Sequence, residues 1–209
     1  MDARTASPGH LKVTRQDWLD AATAVLIERG VDQVKILQLS ARLKVSRSSF
    51  YWYFHDRKEL LGALVAHWQT TNTTAFVAAC AEPTLTITAG VCQLFRCFVD
   101  ERLFDARLEL AVRDWAKRAR PIRTQVARAD EARLAALRQM FLRHGYPADE
   151  AEVRSRILYY MQIGYYALSP HETLGERMRL VPAYLKSFTG RTPKAAEIAA
   201  LEQFAKSLS

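Results

Sequence analysis

The stretch Leu37 to Phe54, LQLSARLKVSRSSFYWYF, constrains this chain more than any other. It reads as two short helices around a tight turn. Leu39 and Leu43 lie one turn apart on a first helix over Gln38 to Leu43, and Lys44-Val45-Ser46 breaks that pattern. Ser46 is placed to cap the next helix, because a serine hydroxyl can accept from the free backbone N–H groups of a first turn. The second helix then runs from about Arg47 to Tyr53. It puts Phe50 and Phe54 on one face and Arg47, Ser48, Tyr51 and Trp52 on the other. Such a pair is the layout of a helix-turn-helix, whose second helix offers a hydrogen-bonding face to the DNA major groove.

A unit of this size cannot bury its own core and needs helices behind it. Thr14 can cap a helix to about Arg29, with Trp18, Ala21, Ala22, Val25 and Leu26 as an apolar stripe and Gly30 at its end. After the unit, Asp56 can cap a longer helix in which Leu60, Leu61, Leu64, Val65 and Trp68 repeat the period. Over Thr14 to Leu64 the chain resembles the TetR/AcrR family of bacterial transcriptional regulators. The matching residues are Gly30, Leu39-Ser40, Val45-Ser46, Phe50-Tyr51-Trp52-Tyr53-Phe54, Arg57 and Leu60-Leu61. Three positions depart from the family pattern: Lys44 replaces a turn glycine, Lys35 a capping threonine, and Tyr53 a histidine.

The rest of the chain reads as helical throughout, with no strand alternation and no repeat. Helices are expected from Arg57 to about Cys80, Thr84 to Arg102, Asp105 to Arg118, Pro121 to His144, Asp149 to Leu168, Glu172 to Phe188 and Pro193 to Lys206. The expected fold is all-α: a flexible arm over residues 1–12, a helix-turn-helix domain over 13–56, and a larger helical effector-binding and dimerisation domain over 57–209. The helix ending at Leu168 carries apolar residues on two faces. Val153, Ile157, Tyr160, Met161, Gly164 and Leu168 form a stripe that one small domain has no need of, and in the resembled family such helices pair across a two-fold axis.

With 30 Lys and Arg against 22 Asp and Glu, the chain carries a net charge of +8, which favours an anionic partner. Residues 105–144 contribute ten basic side chains against five acidic ones, so the excess is not confined to the DNA reader. Arg128, Arg133, Arg138 and Arg143 read as a solvated helix face. The run Arg113 to Arg123 is open between proximity to DNA and an anionic effector. Cys80, Cys92 and Cys97 read as reduced core thiols, and the five histidines show no metal-ligand spacing, so no metal or cofactor is expected. No apolar run spans a membrane and no secretion signal opens the chain, which points to the cytoplasm.

The functional expectation is a homodimeric repressor released from a palindromic operator by a small molecule. Arg47 is the expected base reader, since its guanidinium can donate two parallel hydrogen bonds to guanine. Ser48 and Ser49 let the helix approach closely, and Ser46 sits at its start. The resemblance implies Tyr51 and Tyr53 as phosphate ligands. Lys35, Gln38, Lys44 and Arg57 are expected to position the reader on phosphates. Trp52 is open between a DNA contact and packing behind. The expected pocket comprises Trp68, Phe95, Phe98, Trp115, Tyr159, Gln162 and Tyr166, suited to an apolar compound. Nucleophile, metal and phosphate-loop motifs are lacking, so an enzyme is not expected. The alternatives are a DNA-organising protein without a ligand switch and a helical interaction module.

Overall fold

The computed structural model describes residues 13–208, and the chain divides between Leu64 and Val65 into two compact units. The arm expected over residues 1–12 lies outside the described residues. The division falls later than the boundary expected after residue 56, for a local reason. Arg57 donates through Nε to the Val34 carbonyl (2.6 Å) and through Nη2 to the Val31 carbonyl (2.7 Å), and Leu60 and Leu64 are fully buried. The start of that helix is therefore part of the first unit's core.

In the first unit, α1 (Arg15–Arg29) opens on a reciprocal cap. The Asp17 amide donates to the Thr14 hydroxyl (3.2 Å) while the Thr14 amide donates to the Asp17 carboxylate (2.6 Å), an arrangement that contributes about 1 kcal/mol. Gly30 ends α1 at φ +79°, which a side chain rarely adopts. A short 3₁₀ turn (Val31–Gln33) leads to α2 (Ile36–Leu43). Lys35 precedes α2 without a side-chain cap, and Lys44 closes it in the left-handed region at φ 57°, ψ 40°.

The second element of the pair differs from expectation: Arg47–Trp52 is a 3₁₀ helix, with Tyr53 just past its end. The serines account for this. The Ser46 and Ser48 hydroxyls bond each other (2.8 Å) and the Ser49 hydroxyl donates to the Ser46 carbonyl (2.8 Å), local bonds that compete with an α-helical ladder. Ser46 accordingly makes no side-chain cap, contrary to the expectation for its hydroxyl. Phe50 and Phe54 remain core residues. Phe50 is fully buried, edge-on to Trp18 (5.2 Å) and stacked on Phe54 (5.5 Å). Helix α3 (Arg57–Trp68) follows.

The second unit is helical over all its described elements. A π-helical turn (Gln69–Thr74) precedes α4 (Ala75–Ala81), then come α5 (Ile87–Val99), α6 (Ala106–Arg118), α7 (Arg120–Arg143), α8 (Ala148–Leu168), α9 (Leu174–Thr189) and α10 (Ala195–Ser207). Helix α7 packs against α4, α6 and α8, and α5 against α4 and α10. The helix expected to run unbroken from Arg57 to Cys80 is thus interrupted. Its QTTNTT sequence offers weak helix formers, and Asn72 is drawn inward. The Asn72 amide donates to the Asp105 carbonyl (2.9 Å) and to Glu109 (3.0 Å), and its oxygen accepts from the Asp105 amide (3.1 Å). Helix α5 likewise stops at Val99, because the Asp100 carboxylate gathers the Arg102 amide and guanidinium into a turn.

Candidate nucleic-acid interface and effector cleft

The 3₁₀ helix of the first unit turns Phe50 inward, which sends its neighbours outward. Arg47 and Ser48 are exposed, Tyr51 is 60% exposed and Trp52 74%. At that exposure Trp52 does not pack behind the helix. Lys35, Lys44 and Ser46 are also exposed, and Ser49 is half-buried. No acidic side chain lies between Gln33 and His55, so this surface presents donors and a net positive charge to whatever meets it.

Three residues of the expected set have partners inside the fold. The Tyr53 hydroxyl donates to the Val13 carbonyl (2.6 Å), Arg57 holds the Val31 and Val34 carbonyls, and the Gln38 amide donates to Gln33 (3.0 Å). Each fixes the scaffold that carries the exposed residues. Arg42, not singled out from the sequence, makes a bidentate ion pair with Glu28 (2.8 and 2.9 Å), joining α2 to α1.

In the second unit the residues expected to line one pocket divide among an ionic cluster, a cleft and the apolar core. A buried ionic cluster takes Trp68 and Tyr159. Glu109 and Arg133 are both fully buried and paired at 2.8 Å. Glu109 also accepts from the Trp68 indole (2.7 Å), the Asn72 amide (3.0 Å) and Arg113 Nε (2.8 Å). Tyr159 donates to Asp130 (2.6 Å), which in turn pairs with Arg113 (2.5 Å). Burial alone pushes the Glu109 carboxyl up, yet Arg133, Arg113 and Asn72 outweigh it and hold it below the usual carboxylate range. The Arg133 guanidinium lies over the rings of Trp68 and Phe104, 5.4 Å from each centroid.

Arg133 therefore corrects the expectation of a solvated face. It occupies the apolar stripe of α7 with Val126, Ala129, Leu137 and Met140, and a charge on a core stripe is the sequence signal that marks it. Arg113, at the head of the basic run, is engaged by Glu109 and Asp130, and Arg123 donates to the Ala116 and Lys117 carbonyls across the α6–α7 turn. Arg128 and Arg138 are exposed, while Arg143 donates to the Cys80 carbonyl.

Phe95 and Gln162, by contrast, line a narrow cleft among α5, α8, α9 and α10, with a volume of about 30 Å³. Met161, Met178, Val181 and Arg177 complete the walls that matter for its chemistry. Trp115, Phe98 and Tyr166 do not line it. Trp115 is buried in α6, while Phe98 and Tyr166 sandwich with Phe104 in the core, where Phe104 and Tyr166 stack at 5.5 Å. The face of α8 away from this core is bare: Val153, Ile157, Tyr160 and Leu168 are each more than half exposed, and Gly164 is half-buried among them. Met161, grouped with that stripe from the sequence, turns instead to the cleft.

Residues 19–64 match the sequence profile of the "Bacterial regulatory proteins, tetR family". Over that segment the chain resembles the TetR family. Among relatives of known sequence, it is 36% identical over 58 residues to TtgW, an uncharacterized HTH-type transcriptional regulator of Pseudomonas putida, and 36% identical over 56 residues to the HTH-type transcriptional regulator SrpR of the same species. The matches cover 28% and 27% of this chain, and 43% and 26% of those proteins, so less than half of either relative is spanned. The fold is similar over nearly the whole length to Mycobacterium smegmatis AmtR, with a TM-score of 0.61 at 16% identity, covering 97% of this chain and 96% of that one. Bacillus halodurans FadR, a fatty acid degradation regulator, also gives 0.61, at 17% identity over 90% of this chain and 100% of that one. The fold of a helix-turn-helix unit followed in the chain by a larger helical unit is thus shared with these structures.

Proposed function

We propose that this protein is a TetR-family DNA-binding transcriptional regulator, a homodimeric repressor that leaves a palindromic operator when a small molecule binds its C-terminal unit. One observation carries the reading. Within the family-matched segment, Arg47, Ser48, Tyr51 and Trp52 stand out from a fully buried Phe50, in an acid-free stretch of the chain. Arg47 reads a base edge, and Lys35, Lys44 and Tyr51 hold phosphates. The intrachain bonds of Tyr53, Gln38 and Arg57 recast those residues as supports that fix the reader, with any phosphate contact secondary. The bare apolar stripe on α8 supports a two-fold pairing of subunits, and two readers one helical turn of DNA apart require a palindrome. The cleft supports an effector, which acts only through unequal affinity for the DNA-competent and released arrangements.

The test is selection from a randomised DNA pool at two salt concentrations, with Arg47→Ala in parallel. A palindrome should be enriched, its affinity falling steeply with salt, and the variant should lose about 1–3 kcal/mol of discrimination at one base pair of each half-site. Salt-sensitive binding with no enriched sequence would instead mark a DNA-organising protein. Absence of binding to any pool would overturn the reading.

A further inference from the structure

The second unit, Val65–Ser209, contains 20 basic and 15 acidic residues, and the imbalance has one address. Residues 115–129 hold Lys117, Arg118, Arg120, Arg123 and Arg128 and no aspartate or glutamate, while the rest of the unit balances at 15 against 15. In the structure this stretch is the corner between α6, which ends at Arg118, and α7, which starts at Arg120. All five basic residues are exposed.

The corner gathers these charges without neutralising them. Arg123 donates through Nε to the Ala116 carbonyl (3.3 Å) and through Nη2 to the Lys117 carbonyl (3.0 Å), which fastens the first turn of α7 to the last turn of α6. Asp114 is shared between Lys117 (3.2 Å) and Arg118 (3.7 Å), so one carboxylate meets two cations, in an exposed setting where such pairs contribute little. Arg120 and Arg128 have no carboxylate partner among the described residues. Arg120, Thr124 and Arg128 stand at i, i+4 and i+8 on one face of α7, which at the rise of a helix sets the two arginines about 12 Å apart. Arg120 and Arg123 carry like charge one turn apart, which weakens a helix, so the stability of α7 does not account for them.

The make-up of the corner specifies what meets it. Four of the five cations are arginines, whose planar forks match phosphate oxygens. The exposed residues among them are Pro121, Thr124 and Ala127, with no large apolar side chain to enter a lipid surface and no aromatic to anchor a protein partner. A small anion would engage one or two of the cations and leave the others. A duplex strand carries one phosphate per about 3.4 Å of its axis, which places about three or four along the face from Arg120 to Arg128. Contacts of this kind add affinity and carry no sequence information.

We propose that the α6–α7 corner is a second contact with duplex DNA, in which Lys117, Arg120, Arg123 and Arg128 hold backbone phosphates whatever the sequence. Of the two readings open for the basic run, DNA is the one its charge pattern fits. The inference rests on the DNA-binding reading, in which the first unit reads the bases.

The experiment follows the fluorescence anisotropy of two labelled duplexes, one of random sequence and one carrying the selected palindrome, with the full-length protein over a series of salt concentrations. The triple variant Lys117→Gln, Arg120→Gln, Arg128→Gln spares Arg123, which fastens the corner. Its affinity for both duplexes should fall by the same factor, about ten-fold or more at about 0.1 M salt, and the slope of log affinity against log salt should drop by about 2–3 per subunit. Arg47→Ala should instead change the ratio between the two duplexes. A melting curve confirms folding. If the triple variant melts early, Arg128→Gln alone should lower the slope by about 0.9, and Arg128→Lys, which keeps the charge, should restore it.

An unchanged slope and affinity in the folded triple variant would overturn the inference. So would an unchanged DNA slope with loss of binding to vesicles of equal parts phosphatidylglycerol and phosphatidylcholine, which would assign the corner to a lipid surface. In both cases selection of a palindrome by the wild type would leave the DNA-binding reading standing, whereas a wild type that binds no duplex would refute that reading and the corner contact with it.

Discussion

Glu109→Gln tests whether the second unit is held by a charge pair or merely tolerates one. Glu109 accepts from Trp68, Asn72, Arg113 and both terminal nitrogens of Arg133, all between 2.7 and 3.1 Å. Replacing the carboxylate with an amide keeps the volume but turns an N–H₂ group toward two guanidiniums and leaves Arg133, fully buried, without its counter-charge. Breaking a buried pair from one side costs about 3–5 kcal/mol. Arg133→Met should cost less, about 2–3 kcal/mol, because Arg113 still neutralises Glu109. In the double variant no uncompensated charge remains, so its cost should fall short of the sum by about 2 kcal/mol or more.

Urea unfolding at fixed protein concentration measures all four proteins, the fixed concentration removing any contribution from subunit association. A Glu109→Gln cost below about 1 kcal/mol, or additivity within about 0.5 kcal/mol, would refute the reasoning. The pH dependence supplies an independent check. Because the folded-state pKa of Glu109 is depressed, its contribution is present above the unfolded value near 4.3 and is lost as pH falls through the folded value. The wild type should therefore lose stability more steeply than Glu109→Gln in that acid range.

Lys44→Gly should stabilise the first unit by about 1 kcal/mol, since φ 57° strains a lysine and not a glycine, while weakening DNA binding and lowering its salt slope if Lys44 meets a phosphate. Ile157→Arg, in the middle of the bare α8 stripe, should leave the thermal unfolding of the isolated subunit nearly unchanged and shift sedimentation toward monomer. An unaltered dimer would place the subunit interface elsewhere. Thr14→Ala removes one half of the α1 cap and should lower stability by about 1 kcal/mol in denaturant unfolding; a change under about 0.3 kcal/mol would mean that α1 is held by packing alone.

The helical framework is legible in the sequence because apolar periodicity reports directly on which face is buried. Trp18, Leu39, Phe50 and Phe54 are readable as core for that reason, and the Thr14 cap and Gly30 stop are local signals that need no knowledge of the rest of the chain. What periodicity does not carry is competition between local hydrogen bonds. The serines around Arg47 and the QTTNTT turn after Trp68 change helix type without disturbing the stripe. Nor does it distinguish a large aromatic that fills a core from one that borders a cavity, because both are buried. Phe95 lines the cleft and Phe98, one turn on, does not. Arg177 carries no signal of its own, because a basic residue beside Met178 looks like any exposed helix position until α8 is set against it.

The cysteines have a practical consequence. Cys80, Cys92 and Cys97 are free and almost wholly buried, and burial pushes the Cys92 and Cys97 thiols up to about 12 and raises Cys80 further in the same direction. Thiol-reactive dyes attack the thiolate, which is scarce at neutral pH for such groups, and none of the three presents much surface to a reagent. In the native state the three thiols should therefore react slowly with maleimides. A single cysteine introduced at the exposed Trp52 would take the label alone, with the natural three left in place, and its fluorescence would test the proposed DNA contact of this surface.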